Sequence, residues 1–157
     1  LKMVQCLAHA SGIAGMVGGQ TIDLEAERRA INFAQMSTMH RMKTGALITA
    51  AVDLGALAVD ATEAQRLALK NYSEAMGLAF QIRDDILDVT GNEADTGKTQ
   101  GADIAQGKST FVSLLGLTAA NEQAARLRDQ AIAALAPFGA AGEPLIALAD
   151  FIIARNQ

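Results

Sequence analysis

The most constraining feature of this sequence is an apolar stripe between residues 62 and 90. Thr62 and Gln65 have the spacing of a capping box, so we expect a helix to begin there and to end near Val89. The stripe alternates spacings of four and three residues, a pattern close to coiled-coil periodicity that predicts a sustained packing face. Its members are Ala68, Tyr72, Ala75, Ala79, Ile82, Ile86 and Val89.

Composition agrees with a helical fold and limits the partners. Ala, Leu, Ile and Met dominate the 157 residues, half of which are apolar, and only two prolines occur. We therefore predict an all-α chain with one substantial core, folded as a single domain over residues 1–157. The net charge of −4 provides no basic field for nucleic acid. A phosphorylated ligand would need local lysines or a metal ion.

Apolar periodicity and capping residues predict further helices on both sides of the long one. Residues 1–19 form a helix whose glycines let another backbone approach closely, and Asp23–Arg29 forms a short helix or a loop. Asn121 is expected to cap a later helix, and Pro144 to lie in the first turn of another. The other predicted segments are a helix over 35–59 that is interrupted at 43–45, and helices over 109–119, 121–135 and 144–155.

Cys6 lies in an apolar helical pattern, which predicts a small core residue in a reducing compartment. The sequence contains no signal peptide and no uncharged apolar run long enough to span a bilayer, so a soluble, cytoplasmic protein is expected. The chain opens on Leu1 within a helical pattern, which is consistent with a piece of a longer protein. His9 and His40 are interpreted as packed or surface histidines.

Three aspartates crowd the C-terminal end of the long helix. In helical geometry Asp84, Asp85 and Asp88 share one face, within an arc of about 100° that also includes Gln81. These like charges repel, no Lys or Arg stands three or four residues away, and the helix dipole disfavours Asp88 in the last turn. An external cation explains the arrangement, and oxygen ligands without His or Cys indicate Mg²⁺.

An ordinary solvated acidic face is the alternative interpretation of these aspartates. Apolar residues flank the arc on both sides, however, and this favours carboxylates that line a cleft over carboxylates that face bulk water. The flanking residues are Phe80, Ile82, Ile86, Leu87 and Val89.

A second candidate ligand site is the Lys-Thr-Gly tripeptide at 43–45. Glycine inside a helix, beside two side chains that donate hydrogen bonds, predicts a local break where backbone and side chains meet an anion. A flexible spot with a solvated lysine is the alternative. The loop after the long helix adds Lys98 and Lys108. Its Gly-Lys-Thr is not a P-loop, because the glycine spacing is wrong and a helix rather than a strand precedes it.

Five segments together resemble the C-terminal half of the short-chain trans-isoprenyl diphosphate synthases, and most of all the bacterial farnesyl diphosphate synthases. The resemblance covers nearly the whole chain, and the order and spacing of the segments make it specific. The segments are GMVGGQTIDL at 15–24, HRMKTGALITAAV at 40–52, FQIRDDILDVTG at 80–91, TGKTQGADIAQGKSTF at 96–111 and FIIARNQ at 151–157.

The resemblance implies an all-helical, isoprenoid-synthase-type bundle around a deep central cavity, here truncated to its C-terminal helices, and a homodimer. It implies that Asp84, Asp85 and Asp88 bind an allylic diphosphate through Mg²⁺, with a direct bond from Asp84. Phe80 would lie beside the reacting isoprenoid unit. The side chains implied to bind the diphosphate itself are Lys43, Thr44, Gln81, Lys98 and Lys108.

The implied reaction condenses an allylic diphosphate with isopentenyl diphosphate to give farnesyl or geranyl diphosphate. Mg²⁺, Lys43 and Lys98 would stabilise charge on the leaving diphosphate, and apolar walls would shield the carbocation from water. The family's first aspartate-rich motif, its isopentenyl diphosphate site and its chain-length residues are absent from the sequence. We therefore expect the chain alone to be inactive and to self-associate through uncovered apolar faces.

Two other functions stay open on the sequence. A non-catalytic partner subunit of the same fold would keep the bundle, although it has no use for the aspartates and lysines. A helical interaction module would leave the acidic face as ordinary surface. A terpene cyclase is disfavoured, because its second metal motif is absent and aromatic residues are few. The metal–diphosphate prediction fails if the acids are splayed apart or neutralised by arginines, with the loop lysines far away.

Overall fold

The computed structural model describes residues 1–26, 30–91 and 108–155, and within these ranges it contains helices and no strand. The all-α prediction is therefore confirmed. A π-helical turn, Arg41–Gly45, separates α3 from α4, and a 3₁₀ turn, Ala136–Gly142, separates α7 from α8. The α-helices, numbered in chain order, are α1 (Lys2–Ser11), α2 (Met16–Ala26), α3 (Phe33–His40), α4 (Ala46–Ala58), α5 (Glu63–Thr90), α6 (Phe111–Leu115), α7 (Leu117–Ala134) and α8 (Glu143–Ala154).

Helix α5 is the long helix that the apolar stripe predicts. The predicted capping box is present at its start, where the Thr62 side chain accepts from the Gln65 N–H and the Gln65 side chain accepts from the Thr62 N–H. Satisfying these two otherwise unpaired donors fixes where the helix begins. At the other end, the N–H of Gly91 donates to the Leu87 carbonyl and the backbone turns extended. Both ends therefore lie where the sequence places them.

The core lies mainly between α5 and α7. Most of the predicted stripe is buried, while Ala75 and Val89 are half-buried. Alanines on the facing side of α7 have no long side chain, so the two helices can approach closely. Phe111 of α6 is fully buried and closes one end of this core against the ring of His40. The buried residues shared by the two long helices are Tyr72, Met76, Ala79, Ile82, Ile86, Ala120, Ala124, Leu127 and Ala131.

The N-terminal region differs from the prediction of one helix over residues 1–19. Helix α1 ends at Ser11 and α2 begins at Met16, because the backbone at Gly12 is extended. A Cβ at Gly15 would lie 2.1 Å from the Ala10 carbonyl oxygen, so the turn between the helices requires glycine there. The polar segment that begins at Asp23 continues α2 as far as Ala26.

The predicted helix boundaries after residue 108 also need correction. Gly116 adopts φ +80°, which separates α6 from α7 where the sequence predicted one helix over 109–119. Helix α7 begins at Leu117, so Asn121 is not a cap; its side-chain amide donates to the Leu117 carbonyl at 2.9 Å. Pro144 lies in the first turn of α8, as predicted.

One stretch of the described chain, Ala136–Ala154, is long and apolar enough to cross a membrane by length and composition alone, and 11% of its most apolar part is buried. It combines the 3₁₀ turn with α8, and Gly139 interrupts it with a non-helical backbone. Helix α8 has 12 residues and is about 18 Å long, shorter than the roughly 30 Å hydrocarbon core of a bilayer. We interpret the stretch as the outer face of a helix that packs on α7 and α5.

Candidate functional site

The predicted break at 43–45 is the π-helical turn Arg41–Gly45, and two glycines determine its position. A Cβ at Gly19 of α2 would lie 2.2 Å from the Lys43 backbone nitrogen. A Cβ at Gly77 of α5 would lie 3.0 Å from the Gly45 Cα. Because only glycine permits these approaches, the backbones of α2 and α5 pack directly on the turn. Single π turns inside helices are frequent at functional sites.

Polar contacts connect this turn to α2 and α5. The Lys43 Nζ lies 2.6 Å from Oδ2 of Asp23, and these side chains are 34% and 24% exposed. The Thr44 hydroxyl donates to Oε1 of Gln81 at 3.2 Å. The sequence predicted Lys43, Thr44 and Gln81 as one group, and the structure brings them together. It did not predict Asp23, although that residue lies in the quoted GMVGGQTIDL segment.

A cavity of about 120 Å³ lies beside the turn. Four of the predicted site residues line it, and they come from three separate parts of the chain: Lys43, Gln81, Asp85 and Lys108. Asp23, His40, Ser109 and Thr110 supply further polar groups, and Ala26, Ile31 and Met39 supply apolar ones. Lys98 lies outside the described residues. The cavity wall therefore carries two lysines, an amide and hydroxyl groups, which are suitable donors for an anion, and also the carboxylates of Asp23 and Asp85.

Asp85 faces the interior of the protein. Its side chain belongs to a residue that is 5% exposed, and its Oδ2 accepts from the Phe111 N–H at 2.7 Å. Phe111 is the first residue of α6, and the Thr110 hydroxyl caps the same helix by accepting from the Ser113 N–H. Asp85 thus links α5 to the segment that begins with Lys108.

Asp84 faces the other side of the acidic arc, where it forms an ion pair with Arg155. No Lys or Arg lies three or four positions from the aspartates in sequence, but the fold brings a distant cation to Asp84, because Arg155 is 71 positions along the chain. The quoted FIIARNQ segment contains this arginine.

The aspartates do not form one cluster. Within residues 1–26, 30–91 and 108–155, no group of three or more His, Cys, Asp or Glu side chains is arranged to hold a metal ion. Asp85 faces the cavity, whereas Asp84 pairs with Arg155. Mg²⁺ commonly takes only one or two carboxylates and completes its shell with water and phosphate oxygens. The hard oxygens of Asp84 and Asp88, half-buried and one turn apart, fit that requirement, and the assignment of all three aspartates as ligands stays a prediction.

A larger cleft of about 890 Å³, between α1, α4 and α5, contains none of the predicted site residues. Cys6 lines it and is half-buried, so the prediction that this thiol is a core residue is wrong. Its Sγ lies 3.6 Å from Oδ2 of Asp53, and burial raises the pKa of the thiol, with a further contribution from that carboxylate. Arg66 donates to both Asp53 oxygens at 2.9 and 3.0 Å.

Comparison with known proteins identifies relatives of this arrangement. Residues 1–134 match the family described as polyprenyl synthetase. The whole chain is 49% identical to the farnesyl diphosphate synthase of Escherichia coli, of which it covers 54%. It is 45% identical to a dimethylallyltranstransferase of Fischerella ambigua, of which it covers 46%. The chain thus spans about half the length of these curated relatives.

A solved structure shows the same fold. The polyprenyl synthase of Caulobacter crescentus, complexed with calcium and isoprenyl diphosphate, superposes with a TM-score of 0.92 at 29% identity. This superposition covers all of the present chain and 60% of the other. The helices of the present chain therefore have the arrangement of an isoprenoid synthase.

Proposed function

Since this chain belongs to the polyprenyl synthetase family, we propose that it carries the allylic-diphosphate half-site of a farnesyl-type prenyltransferase. The observation that supports the proposal most directly is the small cavity beside the π turn. Lys43, Gln81 and Lys108 reach its wall from three separate segments. A purely structural bundle does not require two lysines and an amide at one cavity.

The chain's own residues bind and orient the leaving group. Lys43 and Lys108 place positive charge beside the diphosphate oxygens, while Thr44 and Gln81 contribute hydrogen bonds. Lys98 is assigned the same role from the sequence. Because these donors are attached to packed helices, little reorganisation is needed as negative charge develops on the oxygens.

Asp84 and Asp88, together with Asp85 on the cavity wall, are the proposed ligands of Mg²⁺. When bound, the metal would supply positive charge to the oxygens of the leaving diphosphate. In the proposed reaction the allylic carbon–oxygen bond breaks, the double bond of isopentenyl diphosphate attacks the resulting carbocation, and the proton that is lost goes to the released pyrophosphate. Phe80 is proposed to lie beside the isoprenoid unit and to help exclude water from it.

Titration of the 157-residue chain with Mg²⁺ and inorganic pyrophosphate tests this half-site. We expect joint addition to raise the melting temperature more than either component alone, because ligand binds only the folded state. Lys43→Gln should remove most of this stabilisation. Lys70→Gln is the matched control, since Lys70 is 58% exposed and pairs with Glu74 outside the site. A wild-type chain that does not respond to the combination would contradict the half-site and favour a helical interaction module.

The half-site alone is proposed to be catalytically inactive, and the complete enzyme to be a cytoplasmic homodimer. Large apolar side chains along α1, α2 and the turn between them support an uncovered interface: Met3, Val4, Leu7, Ile13, Val17 and Leu24 are 40–84% exposed. Incubation with dimethylallyl and isopentenyl diphosphates should release no pyrophosphate above background. Robust turnover would overturn the proposed inactivity, and a strictly monomeric chain in light scattering would argue against the interface.

A further inference from the structure

Arg155, directly after α8, returns to the acidic face of α5. Its guanidinium forms the ion pair with Asp84, and its Nη2 lies 3.4 Å from the Phe80 carbonyl oxygen. The guanidinium carbon lies 4.1 Å from the centroid of the Phe80 ring, in cation–π geometry. The Arg155 side chain is only 15% exposed. One side chain therefore covers both a proposed metal ligand and the proposed isoprenoid contact.

The backbone of Arg155 is attached to the same helix. Its carbonyl oxygen accepts hydrogen bonds from Nε and Nη2 of Arg83, at 3.1 and 2.6 Å. Both arginines are therefore held at the same place on α5, where the like charge of Arg155 acts on Arg83. This repulsion opposes the docked position of Arg155.

The docked position depends on Asp84. Within the described residues, the buried Nε of Arg155 has no hydrogen-bond partner, so the guanidinium is not fully satisfied. A buried cation is tolerated when a carboxylate neutralises it, and becomes unfavourable when that partner is lost. If Asp84 binds a divalent cation instead, Arg155 faces two positive neighbours, the metal ion and Arg83, and loses the counterion that Asp84 provides.

We propose that Arg155 is an internal substitute for the metal. Without ligand, its guanidinium pairs with Asp84 and covers the Phe80 ring, and it moves away from both residues when Mg²⁺ and diphosphate bind. The contact of Arg155 with Asp84 and Phe80 therefore inhibits the binding of metal and diphosphate. Displacement of this one side chain exposes the metal ligand Asp84 and the isoprenoid contact Phe80 together. This inference rests on the proposed function, because it requires Asp84 to bind the metal.

The first test compares the affinity for Mg²⁺ with inorganic pyrophosphate, by calorimetry, in the wild-type chain, Arg155→Gln and Arg128→Gln. Arg128 is the matched control, since it also pairs with aspartates, Asp129 and Asp150, but on exposed surface of α7 and α8. We expect several-fold tighter binding in Arg155→Gln and no change in Arg128→Gln. Equal or weaker binding in Arg155→Gln, with wild-type binding intact, would overturn the inference alone. If the wild-type chain binds nothing, the proposed function fails and the inference fails with it.

The second test uses the wild-type chain and does not depend on whether Arg155→Gln folds. Trypsin must take the Arg155 side chain into its specificity pocket, so its cleavage there, followed by intact mass as loss of residues 156–157, reports a released arginine. Mg²⁺ with pyrophosphate should accelerate cleavage after Arg155 several-fold. The rate of cleavage after other Lys and Arg residues should not rise with the concentration of Mg²⁺ and pyrophosphate in the same way. Asp84→Asn should accelerate it without any ligand. Unchanged cleavage after Arg155 in both cases would show that Asp84 does not hold this side chain.

Discussion

Lys43 and Asp23 form an ion pair, with 2.6 Å between Nζ and Oδ2, at the point where α2 packs on the π turn. The pair gives the lysine a counterion, and Lys43 and Asp23 both line the small cavity. A bound diphosphate would compete with Asp23 for the same ammonium group. The carboxylate therefore orients Lys43 and would oppose the proposed binding of an anion.

Asp23→Asn should strengthen the binding of Mg²⁺ with pyrophosphate several-fold, because it removes both the competitor for Lys43 and a negative charge near the anion. The loss in folding stability should stay below about 1 kcal/mol, since the ion pair is partly exposed to solvent. Calorimetry and urea unfolding measure the two effects. Glu74→Gln, which removes an acid paired with exposed Lys70, is the control and should leave affinity unchanged. Weaker binding in Asp23→Asn would mean that orientation of Lys43 outweighs competition.

Asp85→Ala should destabilise the chain by about 1–3 kcal/mol, because it leaves the buried Phe111 N–H without its acceptor. The exchange rate of the Phe111 amide proton should rise together with the loss of stability in urea. Asp129→Ala provides a comparison at a carboxylate that is 64% exposed, and should change stability by less than about 0.5 kcal/mol. Equal effects of the two substitutions would show that Asp85 does not link α5 to α6.

The features predicted correctly depend on neighbours in sequence. The capping box and apolar stripe of α5 are local patterns, and so is the glycine that marks the end of the π turn. The missed partners are distant: Asp23 is 20 positions from Lys43, and Arg155 is 71 positions from Asp84. Only the packing of α2 and α8 on α5 brings them into contact. No rule about spacing along one helix can find such pairs.

The acidic arc shows the same limit. Helical periodicity places Gln81, Asp84, Asp85 and Asp88 within one arc of α5, but it does not say which neighbouring segment each side chain meets, and Asp85 and Asp84 meet different ones. The metal–diphosphate prediction fails if arginines neutralise the aspartates and the loop lysines lie far away, and this condition is met only in part. An arginine neutralises Asp84, whereas Lys108 lines the same cavity as Lys43 and Asp85.

The Asp53–Arg66 pair predicts a pH dependence of stability. Hydrogen bonds from Arg66 lower the pKa of Asp53, with its positive charge as a further cause, so the folded state favours the ionised carboxylate. A lowered folded-state pKa contributes stability above the unfolded value of about 3.9, and that contribution is lost as the pH falls through and below it. Wild type should therefore exceed Asp53→Asn in urea stability at neutral pH, and the difference should narrow below about pH 4. A difference that is constant with pH would show that ionisation of Asp53 is not its source.

Gly19→Ala and Gly55→Ala should shift stability in opposite directions. A Cβ at Gly19 would lie 2.2 Å from the Lys43 nitrogen, so α2 would have to move away from the π turn, with an expected loss of about 1–3 kcal/mol. Gly55 lies in the middle of exposed α4 surface with nothing within 4 Å of the added carbon, so alanine there should stabilise by about 0.4–1 kcal/mol. Urea unfolding of both variants checks the prediction. If Gly19→Ala abolishes pyrophosphate binding without changing stability, the close approach serves to position Lys43 and not to stabilise the fold. If Gly19→Ala changes neither the stability nor the binding of pyrophosphate, the close approach is not required.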